Sequence, residues 1–380
     1  MTDVAASHDG PFGIYIHVPF CATRCGYCDF NTYTAGELGG SNPDGWLEAL
    51  RIELSLAAVQ AGFPVETVFV GGGTPSLLGA TGLRAVLDAV RDNFQLASGA
   101  EVTTEANPES TSSEFFADLL DAGYTRVSLG MQSTAPHVLA VLDRTHSAGR
   151  APAAAREALA AGFEHVNLDL IYGTPGETDD DLRASVDTAI EAGVDHVSAY
   201  ALIVEDGTAL ARRVRRGEIS APDNDVLAAR YELLDERLSQ AGLGWYEVSN
   251  WSRSGGECRH NLGYWDGGQW WGAGPGAHGF VSGRRWWNIK HPNAYASELA
   301  QGKLPVADFE DLDEVARHTE DVMLRLRLRT GLPMGVLTVG ERDRAEVAVA
   351  DGLAVLRGDR LVLTDRGRLL ADAVVRTVLD

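Results

Sequence analysis

The sequence predicts an α/β fold in three parts. Residues 11–222 form an open, partial (β/α)6 barrel, residues 223–305 extend it, and residues 306–380 make a small helical, winged-helix-like C-terminal domain. Three observations predict this. Short β-rich runs alternate with amphipathic stretches six times, the pattern of a parallel sheet with crossover helices. Six units are too few to close an eight-fold barrel, so the wall stays open. From about Asp308 the order becomes helix, turn, helix, helix, hairpin, helix.

The strand candidates are residues 13–18, 66–70, 101–105, 126–130, 165–171 and 195–201. Between them lie helical patterns at 46–61, 81–93, 113–122, 151–161 and 179–192. Gly62, Gly123, Gly162 and Gly193 follow four of these helices, where a left-handed stop is expected. A further helix is expected over 224–241. Residues 244–283 are rich in Gly and Trp and read as packed loop with short strands. Near the C-terminus, residues 354–363 read as a hairpin turning at Gly358-Asp359.

The bulk properties exclude several classes. The chain has 380 residues and only 4 Cys, three of them in one short motif, so a disulfide scaffold is excluded and a reducing cytoplasm fits. Residues 1–10 are polar and lack the apolar stretch of a secretion signal. No apolar run reaches the roughly 20 residues of a membrane span. A net charge of -22 argues against binding nucleic-acid phosphates. It leaves open peripheral membrane contact through a local face; Arg212, Arg213, Arg215 and Arg216 cluster, as a solvated helix end also would.

Cys21, Cys25 and Cys28 follow the first strand with C-x3-C-x2-C spacing. Three thiolates on one loop suit three irons of a [4Fe-4S] cube and leave the fourth iron free for a small molecule. Structural zinc normally takes four protein ligands. His17 is a conceivable fourth, but it lies four residues before Cys21 on the strand. A redox pair at Cys25 and Cys28 leaves Cys21 unexplained.

Polar residues recur where successive strands end. Gly71-Gly72-Gly73-Thr74 closes the second strand, and glycines there let backbone approach a ligand and expose N–H groups. Glu105 ends the third strand, Gln132 the fourth, Arg144 follows it, and Asp169 lies on the fifth. Each alone is an ordinary cap or surface partner; in series they favour one shared site.

On these residues the chain resembles the radical S-adenosylmethionine (SAM) enzymes, in particular the group around oxygen-independent coproporphyrinogen III oxidase, over about residues 11–380. The resemblance implies that Cys21, Cys25 and Cys28 hold a [4Fe-4S] cluster whose open iron chelates SAM. One electron then splits the sulfonium to methionine and a 5′-deoxyadenosyl radical. It places Tyr15, Tyr27, Gly72, Gly73, Thr74, Glu105, Gln132, Arg144 and Asp169 at SAM. Arg144 offers a fork suited to a carboxylate. No residue is assigned a catalytic role of its own.

Two departures separate the chain from the oxidase pattern. That pattern has a further Cys at the position of Phe30, and a longer segment before the cluster than the 20 residues here. The Cys28-Asp29-Phe30 ending and His260-Asn261-Leu262-Gly263-Tyr264-Trp265 resemble instead the heme-chaperone branch of this group. That resemblance implies a protein that binds heme and hands it to apoproteins such as respiratory heme proteins. It also suggests a homodimer and some membrane proximity. Imidazole is a common axial ligand, which makes His260 a candidate heme ligand, with His278 and Cys258 behind it. The rival is oxidative decarboxylation of the two coproporphyrinogen propionates. A third reading, nucleic-acid docking by the winged-helix-like part, needs a basic helix face. Arg325, Arg327 and Arg329 are spaced by two and do not share one.

Overall fold

A computed structural model describes Gly10 to Asp380, apart from Thr145, His146 and Ala148. The polar stretch before Gly10 therefore lies outside the described residues. The barrel wall is laid down by β1 (Phe12–Val18), α1 (Pro43–Gln60), β2 (Val65–Gly72), α2 (Gly79–Arg91), β3 (Leu96–Ala106), α3 (Ser113–Ala122) and β4 (Arg126–Gln132). It continues through α4 (Pro136–Val141), α5 (Arg150–Ala161), β5 (His165–Tyr172), α6 (Asp179–Glu191) and β6 (His196–Ala201). Strands β1 to β6 pair in order and in parallel. Their inward and outward residues are both buried, as a sheet covered by helices requires.

Local chemistry sets the helix ends. The Ser112 side chain caps α3 at Phe115 N, and Thr178 with Asp181 forms a capping box on α6. Gly123 and Gly162 stop α3 and α5 with φ of 101° and 114°. Gly62 departs from the expectation: it is not among the positive-φ glycines, and α1 leaves through Ala61 at φ -133°.

The sheet then runs past both edges of the six-unit wall. After α7 (Ala209–Arg215) and α8 (Asn224–Gln240), β7 (Gly244–Glu247) and β8 (Asn250–Ser252) fold back antiparallel onto β6. A short helix, α9 (Arg259–Trp265), follows; the sequence shows no apolar period there. Then β9 (Gln269–Ala273) pairs parallel with β1 on the other side, and β10 (His278–Val281) and β11 (Arg284–Asn288) build outward. After α10 (Pro292–Ala300), β12 (Val306–Asp311) completes a twelve-stranded sheet, so the sheet continues past residue 305. β12 is exposed along most of its length and is tied to β11 by Arg284–Asp311 at 2.6 Å and Arg285–Glu310 at 2.8 Å.

The C-terminal unit comprises α11 (Glu314–Arg325), β13 (Leu332–Pro333), α12 (Val339–Ala350), β14 (Ala354–Arg357), β15 (Arg360–Leu363), α13 (Asp365–Leu369) and α14 (Ala371–Leu379). It has its own core, built on Val322, Leu326, Leu361 and Val374. The hairpin β14–β15 turns at the expected Gly358, whose φ is 63°. The basic end of α7 is largely paired, Arg215 with Asp206 and both Arg213 and Arg216 with Glu218, which is how a solvated helix end behaves.

Behind the first strand, Glu53 of α1 is fully buried and joins α1 to the extension. Its carboxyl accepts from Gly274 N at 2.8 Å, from Asn288 Nδ2 at 2.7 Å and from the Tyr295 hydroxyl. Burial pushes its pKa up to about 7 against these donors. Glu53→Leu strands three buried donors. The expected cost is about 3 kcal/mol or more, read as a lower urea midpoint at unchanged slope.

Candidate functional site

The cysteine loop leaves β1 and is gripped by backbone on several sides. Cys21 N donates to Tyr33 O at 3.0 Å, Gly26 N to Leu142 O at 3.2 Å, and Leu210 N to Gly26 O at 2.8 Å. Tyr27 packs into the apolar group of Val138, Leu142, Ile171, Leu202 and Leu210. The glycine run at the end of β2 locks the loop's stem: Gly73 N donates to Val18 O and Thr74 N to Phe20 O, both at 2.7 Å. A Cβ on Gly73 would collide with the Phe20 carbonyl. Gly72 N donates to Glu105 Oε2 at 3.0 Å. This corrects the expectation that the glycines expose N–H groups to a ligand. The N–H groups of Gly72, Gly73 and Thr74 are spent within the protein, and the glycines serve close approach to the loop.

The three thiols are half-buried. Thr74 Oγ1 lies 3.8 Å from Cys21 Sγ, and Arg144 Nη1 lies 3.4 Å from Cys25 Sγ. Burial pushes the Cys28 thiol up to about 11, and the neighbouring Cys25 and Cys21 would add to this as thiolates. Burial also raises Cys21. Metal binding must therefore displace protons here. Among the described residues no three His, Cys, Asp or Glu side chains gather around a single ion. A cube of four irons held at three corners asks instead for one thiolate on each of three irons.

Beside the loop, buried charges converge on the barrel's interior. Arg144 stands next to Tyr27, Cys25 and Asp169, and its Nε is buried with no hydrogen-bond partner among the described residues. A Cβ on Gly130 would meet both the Arg144 guanidinium and the Gln132 amide, so that glycine makes room for the two. Gln132 itself sits at φ 66°, at a register shift between β4 and β5. Asp169 accepts from Ser128 Oγ at 3.0 Å and Asn167 Nδ2 at 2.7 Å, yet burial still raises its pKa. Among the described residues Glu105 has one donor, Gly72 N; burial, then the charge of Asp169, pushes it up to about 8. Tyr15 shares this interior, its ring stacked on Phe69 at 6.3 Å.

His260 lies at a lower level of the same interior, its ring stacked on Phe69 at 5.3 Å. Its ring packs beneath Gly13, at the start of β1, whereas the cysteines follow the end of that strand. Five residues of strand separate the two levels, roughly 16 Å. His260 is buried with both ring nitrogens engaged: Nδ1 with Thr67 Oγ1 at 2.8 Å and Nε2 with the Tyr264 hydroxyl at 2.7 Å. Burial lowers its pKa to about 3. Glu101 caps α9 by accepting from His260 N at 3.0 Å and Arg259 N at 3.2 Å. Cys258 is buried, and its thiol is pushed up to about 12. His278 is exposed and stacks on Trp287 at 5.9 Å.

The structure thus gathers Tyr15, Tyr27, Gly72, Gly73, Thr74, Glu105, Gln132, Arg144 and Asp169 around the cysteine loop and sets His260 deeper in the same interior, against the Phe69 ring that also stacks on Tyr15. Sequence reading set His17 aside as a spare metal ligand, whereas its ring is bonded to the Tyr15 hydroxyl at 3.1 Å. The available signal was the two-residue spacing of Tyr15 and His17, which puts both on one strand face.

A half-open parallel barrel with three cysteines on the loop after its first strand is the architecture of the radical SAM superfamily. The profile of that superfamily matches residues 15–189. Membership implies a [4Fe-4S] cluster and SAM, and the half-buried thiols and partnerless Arg144 Nε fit the two groups. Over 370 residues the chain is 72% identical to the heme chaperone HemW of Mycobacterium tuberculosis, covering 97% of this chain and 95% of that protein. It is 33% identical to HemW of Bacillus subtilis, covering 95% and 97%. The chain belongs to the HemW family. The solved coproporphyrinogen III oxidase HemN of Escherichia coli superposes with a TM-score of 0.85, covering 99% of this chain and 91% of that one. At 21% identity this likeness is one of fold.

Glu105 predicts a pH dependence. A carboxyl whose folded pKa is raised stabilises the fold fully below its unfolded value, and that contribution is lost as pH rises through the folded value. For Glu105 the window runs from about 4.5 to about 8. Glu105→Gln in the metal-free chain should match wild-type stability at pH 4.5, gain on it steadily to pH 8, and hold the gain above. Denaturant titrations across that range check it.

Proposed function

We propose that this chain binds heme and delivers it to heme-requiring apoproteins. One observation carries the reading: near full-length identity of 72% to a protein named as a heme chaperone. Phe30 supports it. The residue occupies the oxidase pattern's further Cys position and is 61% exposed, so it offers the loop no extra sulfur.

In this reading Cys21, Cys25 and Cys28 hold the cluster, and SAM lies against Tyr15, Tyr27, Gly72, Gly73, Thr74, Glu105, Gln132, Arg144 and Asp169. Together the two groups would supply one-electron chemistry. The protein's own part is positional. Arg144 turns its free Nε to a carboxylate, as a guanidinium fork does. Glu105, protonated near neutrality in the free pocket, gives up its proton to receive an ammonium group. Asp169, steadied by Ser128 and Asn167, accepts from hydroxyls. The apolar packing of Tyr27 keeps water from the loop's rear.

His260 becomes a heme ligand only by exchanging the Tyr264 hydroxyl for iron at Nε2. Membrane contact and pairing with a second copy stay proposals of the family resemblance. No helix among the described residues is long and apolar enough to cross a membrane.

An anaerobic heme titration of the cluster-loaded chain, followed at the Soret band, tests the reading. Wild type should saturate at one heme per chain. If His260 is the ligand, Tyr264→Phe frees Nε2 and tightens binding, while His260→Ala weakens it about tenfold or more. Equal binding by all three keeps the chaperone and removes His260. Binding no better than a non-specific control protein sinks the proposal and leaves coproporphyrinogen decarboxylation to be assayed.

A further inference from the structure

The exit of the cysteine loop is wired to Tyr15 through a histidine whose hydrogen-bond polarity can be worked out. His17 Nε2 lies 2.9 Å from the Asn31 carbonyl oxygen. A carbonyl only accepts, so Nε2 carries the proton. Burial holds the imidazole's pKa below its ordinary value, so the ring is neutral and Nδ1 keeps a lone pair. The Tyr15 hydroxyl, 3.1 Å from Nδ1, must then be the donor in that bond. Its oxygen turns only lone pairs toward the interior that holds Glu105.

Asn31 is held in turn by the barrel extension. Its Nδ2 donates to Pro275 O at 2.9 Å and Lys290 O at 2.8 Å, and its Oδ1 accepts from the Tyr33 hydroxyl at 3.1 Å. Close approach makes the fit tight. A Cβ on Gly276 would collide with the Asn31 amide, one on Gly274 with the His17 carbonyl, and one on Gly72 with the His17 ring. Gly274 is also the backbone that Glu53 holds from behind. Residues 274–290, 240 and more positions from the loop, thereby reach the pocket through two side chains.

We propose that Asn31 and His17 are positioning residues: they pass the seating of residues 274–290 to the Tyr15 hydroxyl and fix it as an acceptor facing SAM. This rests on the SAM pocket proposed above. The extension already flanks Tyr15 through the pairing of β9 with β1; the relay adds a side-chain route, through Asn31 and His17, to the Tyr15 hydroxyl itself. Asn31→Asp keeps the side chain's size but sets a carboxylate against two carbonyls. His17→Phe keeps a flat ring and removes both nitrogens.

Two measurements on the full chain with its cluster reconstituted anaerobically test this. Imidazole nitrogen shifts, assigned to His17 by their loss in His17→Phe, should report the Nε2–H tautomer in wild type and a changed tautomer balance in Asn31→Asp. An Nδ1–H tautomer in wild type overturns the relay, whatever SAM does. The second measurement is the SAM-induced change in the paramagnetic resonance of the reduced cluster. Iron content should stay equal in all variants. Tyr15→Phe, His17→Phe and Asn31→Asp should each weaken the SAM response about tenfold. The double variant Tyr15→Phe/His17→Phe should be no worse than either single, because both cut one path. Effects that multiply to about a hundredfold overturn the proposal. A wild-type chain that assembles its cluster and shows no SAM response defeats the SAM pocket itself, and the tautomer measurement still decides the relay.

Discussion

The pair of backbone bonds from Gly73 and Thr74 to Val18 and Phe20 is the constraint on which the site depends. A loop bearing three half-buried thiols has little apolar surface of its own to hold it. It is held because β2 ends in residues without side chains to obstruct the approach. Those bonds fasten the loop's stem to the second strand just where Gly72 also reaches Glu105. Loop, strand end and buried carboxyl are therefore one rigid piece. The Cβ that any other residue would bring at Gly73 points into the Phe20 carbonyl.

The second organising fact is electrostatic. Glu105 and Asp169 are buried together with a single guanidinium, Arg144, near Asp169. Burial raises both carboxyls, and the charge of Asp169 raises Glu105 further. Such a site favours a ligand that carries both signs of charge, because a zwitterion relieves the acid and the guanidinium at once. That is the charge character of an amino-acid moiety, such as the one the proposed reading sets against these residues.

Much of this was legible in the sequence, for reasons that differ by element. Strands β1 to β6 read well because β-branched runs bounded by helix stops are local signals. Helix α3 read to the residue, since Ser112 and Gly123 mark both ends. Helix α9 did not: its seven residues include Gly263 and owe their shape to Glu101, which lies far away in sequence. The cysteines and the acids at strand ends were visible by type and place. The fate of the glycine N–H groups was not, because their acceptors, Val18 and Glu105, lie on other strands. Asn31 was invisible for the same reason, its partners Pro275 and Lys290 being contributed by the extension.

The outer strand β12 has a bearing on the chain's life in a crowded solution. An unpaired strand edge invites another chain to add to the sheet. Here that edge displays Asp308, Glu310 and Asp311 on exposed backbone, with Arg284 and Arg285 answering from β11 rather than from the open side. A second copy approaching in the same way would bring the same acids face to face, in a chain already at -22. At β12 the long sheet thus ends in a charged hem that deters the addition of another strand.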